Sequence, residues 1–152
     1  NITTIDLPKN DAIFINNYNR HSKDEIKNYE KKLKENLKNL KNVNYIEMNS
    51  IFLLNNFDKC SFDLIWIDGD HLNPQVTFDI FSALFLLKNE GYIFCDDIVF
   101  SNYSSKYSNK SSFETLKYLE KKKIINNEFI LKRISKINAI KEKKYISISK
   151  KV

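Results

Sequence analysis

Five aspartates stand directly behind short apolar runs, and they are the chemically informative residues of this sequence. Asp6 closes ITTID, Asp68 follows FDLIWI, Asp70 and His71 come just after it, and Asp96 and Asp97 follow YIFC. Each run has the length and the β-branched or aromatic content of a strand. If such strands lie side by side in parallel, their carboxyl ends share one rim, where open α/β sheets bind ligands. Neighbouring strands are ~4.8 Å apart, so Asp68, Asp96 and Asp97 would crowd one another. Like charges that close are costly unless a proton or a cation intervenes. Three carboxylates completed by waters suit a hard divalent ion such as Mg²⁺. Asp70, or His71 with its unperturbed pKa of about 6.5, could take the proton of a hydroxyl held there. A plainer reading weighs equally at any single position: Asp and Asn are favoured turn and cap residues, and His71 reads as a loop histidine bonded to backbone. His21, beside Arg20, reads as a surface residue.

The elements that must position these residues follow from periodicity. Ile2–Leu7 is a short strand closed by Pro8, followed by a polar loop. Ser22 stands three before Glu25, a capping-box spacing. Behind it Ile26, Tyr29, Leu33, Leu37 and Leu40 form one apolar helical stripe. Val43–Met48 is a second strand. Phe62–Ile67 is a third, apolar enough to be buried on both faces. Val76–Leu87 has helical spacing, and Gly91 suits a left-handed residue in the turn after it. Tyr92–Cys95 is a fourth strand. A Ser/Asn/Tyr/Lys loop, Ser101–Ser112, leads into a helix over Phe113–Lys122, and strand-like runs at Phe129–Ile134 and Tyr145–Ser149 close the chain. Alternating strands and helices predict an α/β fold whose sheet is mainly parallel and covered on both faces, with the last two strands antiparallel.

At 152 residues the chain fits one domain, and 42% hydrophobic residues are enough to close a core, which excludes wholesale disorder. No apolar run reaches the ~18 residues of a membrane span. The two cysteines, Cys60 and Cys95, cannot make a disulfide framework, and no charged-then-apolar leader opens the chain. These features predict a cytoplasmic, reduced setting without a membrane partner. The net charge of +6 sits in a sequence rich in Lys, Asn and Ile throughout. That bias weakens any argument from charge alone.

The stretch FDLIWIDGDH, followed after a helix by LLKNEGYIFCDDI, resembles the second half of class I S-adenosylmethionine-dependent methyltransferases, in the small-molecule branch of catechol and macrocin O-methyltransferases. TIDLP then looks like that family's second strand, NYIEMNS its third, IDGDH its fourth and CDDI its fifth, with the terminal hairpin as its reversed last strands. The resemblance implies a Rossmann-like methyltransferase sheet with an antiparallel C-terminal hairpin and helices on both faces. It implies that Asp6 accepts the ribose hydroxyls of S-adenosylmethionine, that Asn49 and Ser50 lie near the adenine, and that Asp68 also contacts the cofactor. It implies Asp68, Asp96 and Asp97 as ligands of Mg²⁺ or another divalent cation. In the sugar-modifying macrocin-like branch Asp70 matches the general base, with His71 beside it. The family's Gly-rich loop, which lets the backbone approach the cofactor's methionine end, has no counterpart, because Gly69 and Gly91 stand elsewhere. Residues 1–152 are therefore expected to be a single methyltransferase-like domain lacking its first strand and that loop, in keeping with an opening Asn1.

The expected activity is metal-assisted O-methylation of a small hydroxylated substrate, a sugar among the candidates. One alternative is a metal-independent methyltransferase in which Asp96–Asp97 caps a helix, or a hydroxylase-like member of the same fold, a branch that carries a similar acidic set. Another is a basic nucleic-acid-binding module built on Lys121–Lys123 and on Tyr103 and Tyr107. Lysines scattered along every helix argue against nucleic acid as the partner. The Ser101–Ser112 loop is expected either to cover the substrate site or to be a plain surface connection.

Overall fold

The computed structural model describes residues 1–18, 22–101, 110–137 and 140–152. Arg20, His21, Tyr103, Tyr107 and most of the Ser101–Ser112 loop lie outside the described residues. The chain divides into two compact units, Asn1–Leu53 and Leu54–Val152. Among the described residues no helix is long and apolar enough to cross a membrane.

In the first unit β1 (Ile2–Asp6) and β2 (Val43–Glu47) pair in parallel, in register from Ile2 opposite Val43 to Asp6 opposite Glu47. Two helices lie between them in the chain, α1 (Ala12–Tyr18) and α2 (Lys23–Lys38). The first occupies a stretch whose composition predicts a loop. Asp11 starts it by accepting the Ile13 N–H at 2.8 Å, and seven residues are too few to display an apolar stripe. The capping box of α2 forms as its spacing predicts: Ser22 Oγ accepts the Glu25 N–H at 3.2 Å and Glu25 Oε2 accepts the Ser22 N–H at 2.7 Å. Ile26, Leu33 and Leu37 are half-buried, while Tyr29 is more exposed and Leu40 lies beyond the helix end.

The second unit is a four-stranded sheet in the order β3-β4-β6-β5, built from β3 (Phe62–Ile67), β4 (Leu87–Ile98), β5 (Ile125–Ile137) and β6 (Ile140–Lys151). A short helix α3 (Leu53–Asn56) precedes it. β3 and β4 are parallel, and β6 runs antiparallel between β4 and β5. Helices α4 (Gln75–Leu86) and α5 (Ser111–Lys121) pack together on one face. There Val76, Ile80, Ala83 and Leu84 of α4 and Leu116 and Leu119 of α5 bury against Ile67, Ile93, Cys95, Ile98 and Ile125. Each fully buried Leu or Ile of this core stabilises the fold by ~1.5–3 kcal/mol. The Lys121–Lys123 run closes α5, with Lys123 in the left-handed region at φ 57°, an ordinary basic helix end.

Three details differ from expectation. β3 is an edge strand and is buried on one face only. Its alternate residues Leu64 and Trp66 are 54% and 50% exposed, and Trp66 stacks on Phe94 of β4. The terminal strands run far beyond their apolar centres, because flanking Lys and Asn residues pair in register even where their β-propensity is low. The left-handed residue after α4 is Glu90, φ 66°, not Gly91.

Gly91 is required for space instead. A Cβ there would stand 2.8 Å from Leu87 Cδ1 and Cγ and 2.9 Å from the backbone oxygen of Asp63. Gly91→Ala is therefore expected to destabilise the second unit by ~1–3 kcal/mol, read as a lowered midpoint of urea unfolding. An unchanged midpoint would show that β3 and β4 do not approach so closely.

Candidate active site

Asp68 follows β3 directly, and Asp96 and Asp97 lie near the carboxyl end of β4, the strand parallel to it. The sheet is irregular at this level. The β4–β6 register shifts between Cys95 and Ile98, and the β5–β6 register shifts between Leu131 and Arg133. Both shifts flank one residue of β6, Tyr145, which pairs with Ile98 on one side and Leu131 on the other. Bulges bend a strand and re-aim its side chains, and here they turn Asp96 and Asp97 of β4 and Lys132 and Arg133 of β5 to a common place. Asp97 takes the left-handed φ of 49°, which Asp tolerates better than most residues. Aromatic packing pins this level of the sheet. Phe100 stacks on Tyr145 at 4.1 Å between ring centroids, and Phe113 and Phe129 close the cluster at 4.6 and 5.3 Å from Phe100.

The result is a dense group of ion pairs. Asp97 Oδ2 accepts from Lys144 Nζ at 2.6 Å and from Arg133 Nη2 at 3.1 Å, and Asp97 Oδ1 accepts from Lys132 Nζ at 3.1 Å. Lys132 Nζ also donates to Asp96 Oδ2. Asp96 is buried, and its Oδ1 has no hydrogen-bond partner. Burial, and next the negative charge of Asp96, push the Asp68 carboxyl above the usual carboxylate range, and His71 and Lys132 pull it part of the way back. Burial alone would also raise Asp97, but hydrogen bonds from Lys144 and Lys132 outweigh it and hold that carboxyl below its ordinary value. Hydrogen bonding to Asp96, opposed by burial and reinforced by Asp97, raises the Lys132 ammonium above the ordinary lysine value. Beneath the rim the buried Cys95 thiol is pushed up to about 12, by burial and then by Asp96, Asp79 and Asp68, and is inert at neutral pH.

The other predicted residues fall as follows. Asp70 is exposed, and its Oδ1 accepts the Leu72 N–H at 2.9 Å, so it shapes the loop after β3. His71 is half-buried, and its charge reaches Asp68. Asp6, at the carboxyl end of β1, accepts the Leu7 N–H at 2.8 Å. Its charge, after burial, helps raise the Tyr45 hydroxyl to about 12. Asn49 caps the turn Ser50–Phe52 through a 3.0 Å bond from the Ile51 N–H. The structure thus brings Asp68, Asp96 and Asp97 together in the second unit, while Asp6, Asn49 and Ser50 belong to the first.

As arranged, the aspartate trio does not offer a divalent ion the ligand set the resemblance implies. Both oxygens of Asp97 and one of Asp96 are engaged by cationic side chains, and among the described residues no three His, Cys, Asp or Glu side chains are grouped to hold a metal. Sequence reasoning passed over Lys132, Arg133 and Lys144, which carry the pairing. It also passed over Asp79 of α4, which is buried, held by Gln75 Nε2 at 2.9 Å, and 3.5 Å from where a Cβ on Gly69 would stand.

Parallel pairing of β1 with β2 and of β3 with β4, a reversed terminal hairpin and carboxylates at the strand ends are features of the Rossmann-like methyltransferase class. A family model described as a methyltransferase domain matches residues 1–98. The chain belongs to that methyltransferase family. Among solved structures it is similar to an O-methyltransferase from Bacillus cereus in complex with SAH, at 17% identity and a TM-score of 0.60, covering 98% of this chain and 62% of that one. It is also similar to precorrin-6y C5,15-methyltransferase from Geobacter metallireducens, at 18% identity and a TM-score of 0.53, covering 78% and 59%. A SAM-dependent methyltransferase from Methanosarcina mazei aligns at 11% identity and a TM-score of 0.54, covering 99% and 81%. At these identities the likeness establishes the fold. The chain spans about three fifths of the length of the Bacillus cereus enzyme. No curated protein sequence matches this chain.

Because Asp97 titrates lower folded than unfolded, its contribution is complete above the unfolded value of about 3.9 and is lost as pH falls through the lower folded value. Asp97→Asn, which tolerates the same φ, is expected to cost ~1–2 kcal/mol at neutral pH. The gap in urea midpoint from the parent should close as pH is lowered from about 5 towards 2. A gap that does not vary with pH would contradict the ion pairing.

Proposed function

We propose that the protein transfers a methyl group from S-adenosylmethionine to a hydroxyl oxygen of a small molecule. The observation that carries this reading is the methyltransferase-domain match over residues 1–98, together with Asp68 and Asp96 meeting at the carboxyl ends of adjacent parallel strands. The likeness to the Bacillus cereus O-methyltransferase supports oxygen as the acceptor atom.

Bound S-adenosylmethionine supplies an electrophilic methyl group on a sulfonium. Asp6 would accept hydrogen bonds from the ribose hydroxyls. Its Oδ1 already holds Leu7 N–H, but a carboxylate has lone pairs on both oxygens and can accept several donors at once. Asn49 uses its side-chain oxygen to cap Ile51, a bond that does not involve its amide donors, and with Ser50 it would contact the adenine. Asp70 or His71 would remove the proton of the acceptor hydroxyl so that its oxygen becomes a competent nucleophile. Asp68 would share that acidic rim and orient what binds there.

The test uses the full-length gene product. Calorimetric titration with S-adenosylhomocysteine should give a single site, weakened ~10-fold or more by Asp6→Ala. With tritiated methyl donor and a panel of catechols and sugars, label should appear as a methyl ether. Of Asp70→Asn and His71→Gln, the one that removes the base should lower turnover ~100-fold while leaving affinity for S-adenosylhomocysteine unchanged. Absence of binding, or label on nitrogen or carbon acceptors alone, would overturn the reading.

A further inference from the structure

We propose that the acidic rim carries its own cation, Lys132, which bridges Asp96 and Asp97 and takes the place of a divalent metal ion. The proposal deepens the methyl-transfer reading, and rests on it only for the consequence that turnover needs no added metal.

Charge balance is the first argument. Asp68, Asp96 and Asp97 bring three negative charges, and Lys132, Arg133 and Lys144 bring three positive ones, so 3 − 3 leaves a formally neutral group. A divalent ion added to this group would meet three cations within a few ångströms of its ligands, a repulsion only weakly screened where side chains are buried. Side-chain exposure is 7% for Asp96, 10% for Lys144 and 16% for Asp97, against 30% for Lys132 and 49% for Arg133, so the two aspartates and Lys144 are largely withdrawn from water while Lys132 and Arg133 reach them from the more exposed side.

Backbone geometry is the second. The β4 irregularity leaves Asp96 and Asp97 without partners in the β6 ladder, and the β5 irregularity does the same for Lys132, at the level of the same Tyr145. A divalent ion takes several oxygens at ~2.0–2.6 Å, whereas Asp97 has both oxygens hydrogen-bonded and Asp96 has one. Only the buried Oδ1 of Asp96 is left over from the pair. An ammonium has three donors, two of which hold the aspartates, and its fixed charge lies close enough to act on Asp68. Lys132 is a positioning residue in this account. It holds the carboxylates and gives the rim a permanent positive centre beside which negative charge on an acceptor oxygen can develop.

The probe is Mn²⁺ alone, titrated into the full-length gene product and followed by the paramagnetic resonance of the free ion. The parent protein and Lys132→Arg should leave Mn²⁺ free. Lys132→Met should take up one ion at least tenfold more tightly than the parent, and Lys132→Met with Asp96→Asn should lose it again. Uptake of one equivalent by the parent that Asp96→Asn abolishes, or no gain in Lys132→Met, overturns the proposal. If circular dichroism shows Lys132→Met unfolded, the parent and Lys132→Arg decide by themselves, and uptake by either overturns it. None of these readings requires methyl transfer. A protein that behaves as expected toward Mn²⁺ yet methylates no hydroxyl would sink the proposed function and leave this inference standing.

Discussion

The second unit depends on the compensation of negative charge at the carboxyl ends of β3 and β4. Parallel neighbours force Asp68 close to Asp96, and the next residue in the chain is a third carboxylate. Unrelieved, that concentration of charge would oppose closure of the sheet. Lys132, Arg133 and Lys144 relieve it from the hairpin, so the β5–β6 strands are more than a cover for the sheet edge. They complete the electrostatics of the rim.

That role explains the irregularity of the sheet. A regular ladder would alternate β4 and β5 side chains across its two faces and would not turn two consecutive aspartates and two consecutive cations to one place. Shifts in both strands around Tyr145 achieve it, and the left-handed φ of Asp97 is part of the same adjustment. The aromatic cluster of Phe100, Phe113, Phe129 and Tyr145 ties the segment just after β4 to α5, β5 and β6 at that height. The buried face of α4 and α5 holds the strands from below. Strain of this kind persists where surrounding packing over-determines the backbone, and the packing here does so.

Much of the fold was legible because it rests on local rules. FDLIWI is β3 residue for residue, Ser22 and Glu25 form the capping box, and the last two strands pair antiparallel. The meeting of Asp68 with Asp96 and Asp97 was legible too, because strand ends in a parallel sheet converge by construction. What escaped notice depends on distance along the chain. Lys132 meets Asp96 across 36 positions and Lys144 meets Asp97 across 47. With 25 Lys and Arg in 152 residues, no local pattern marks which of them turn inward. Gly91 is similar: its need for space is set by Leu87 and by Asp63 of the neighbouring strand, which no turn signature near position 91 reveals.

Coupling between Asp97 and Lys144 tests most directly whether the hairpin neutralises the rim. A double-mutant cycle with Asp97→Asn and Lys144→Met, read by urea unfolding at neutral pH, should give an interaction energy of ~1–3 kcal/mol. Additive effects, with coupling within ~0.3 kcal/mol of zero, would mean that the two charges do not hold each other and that the rim is balanced in another way.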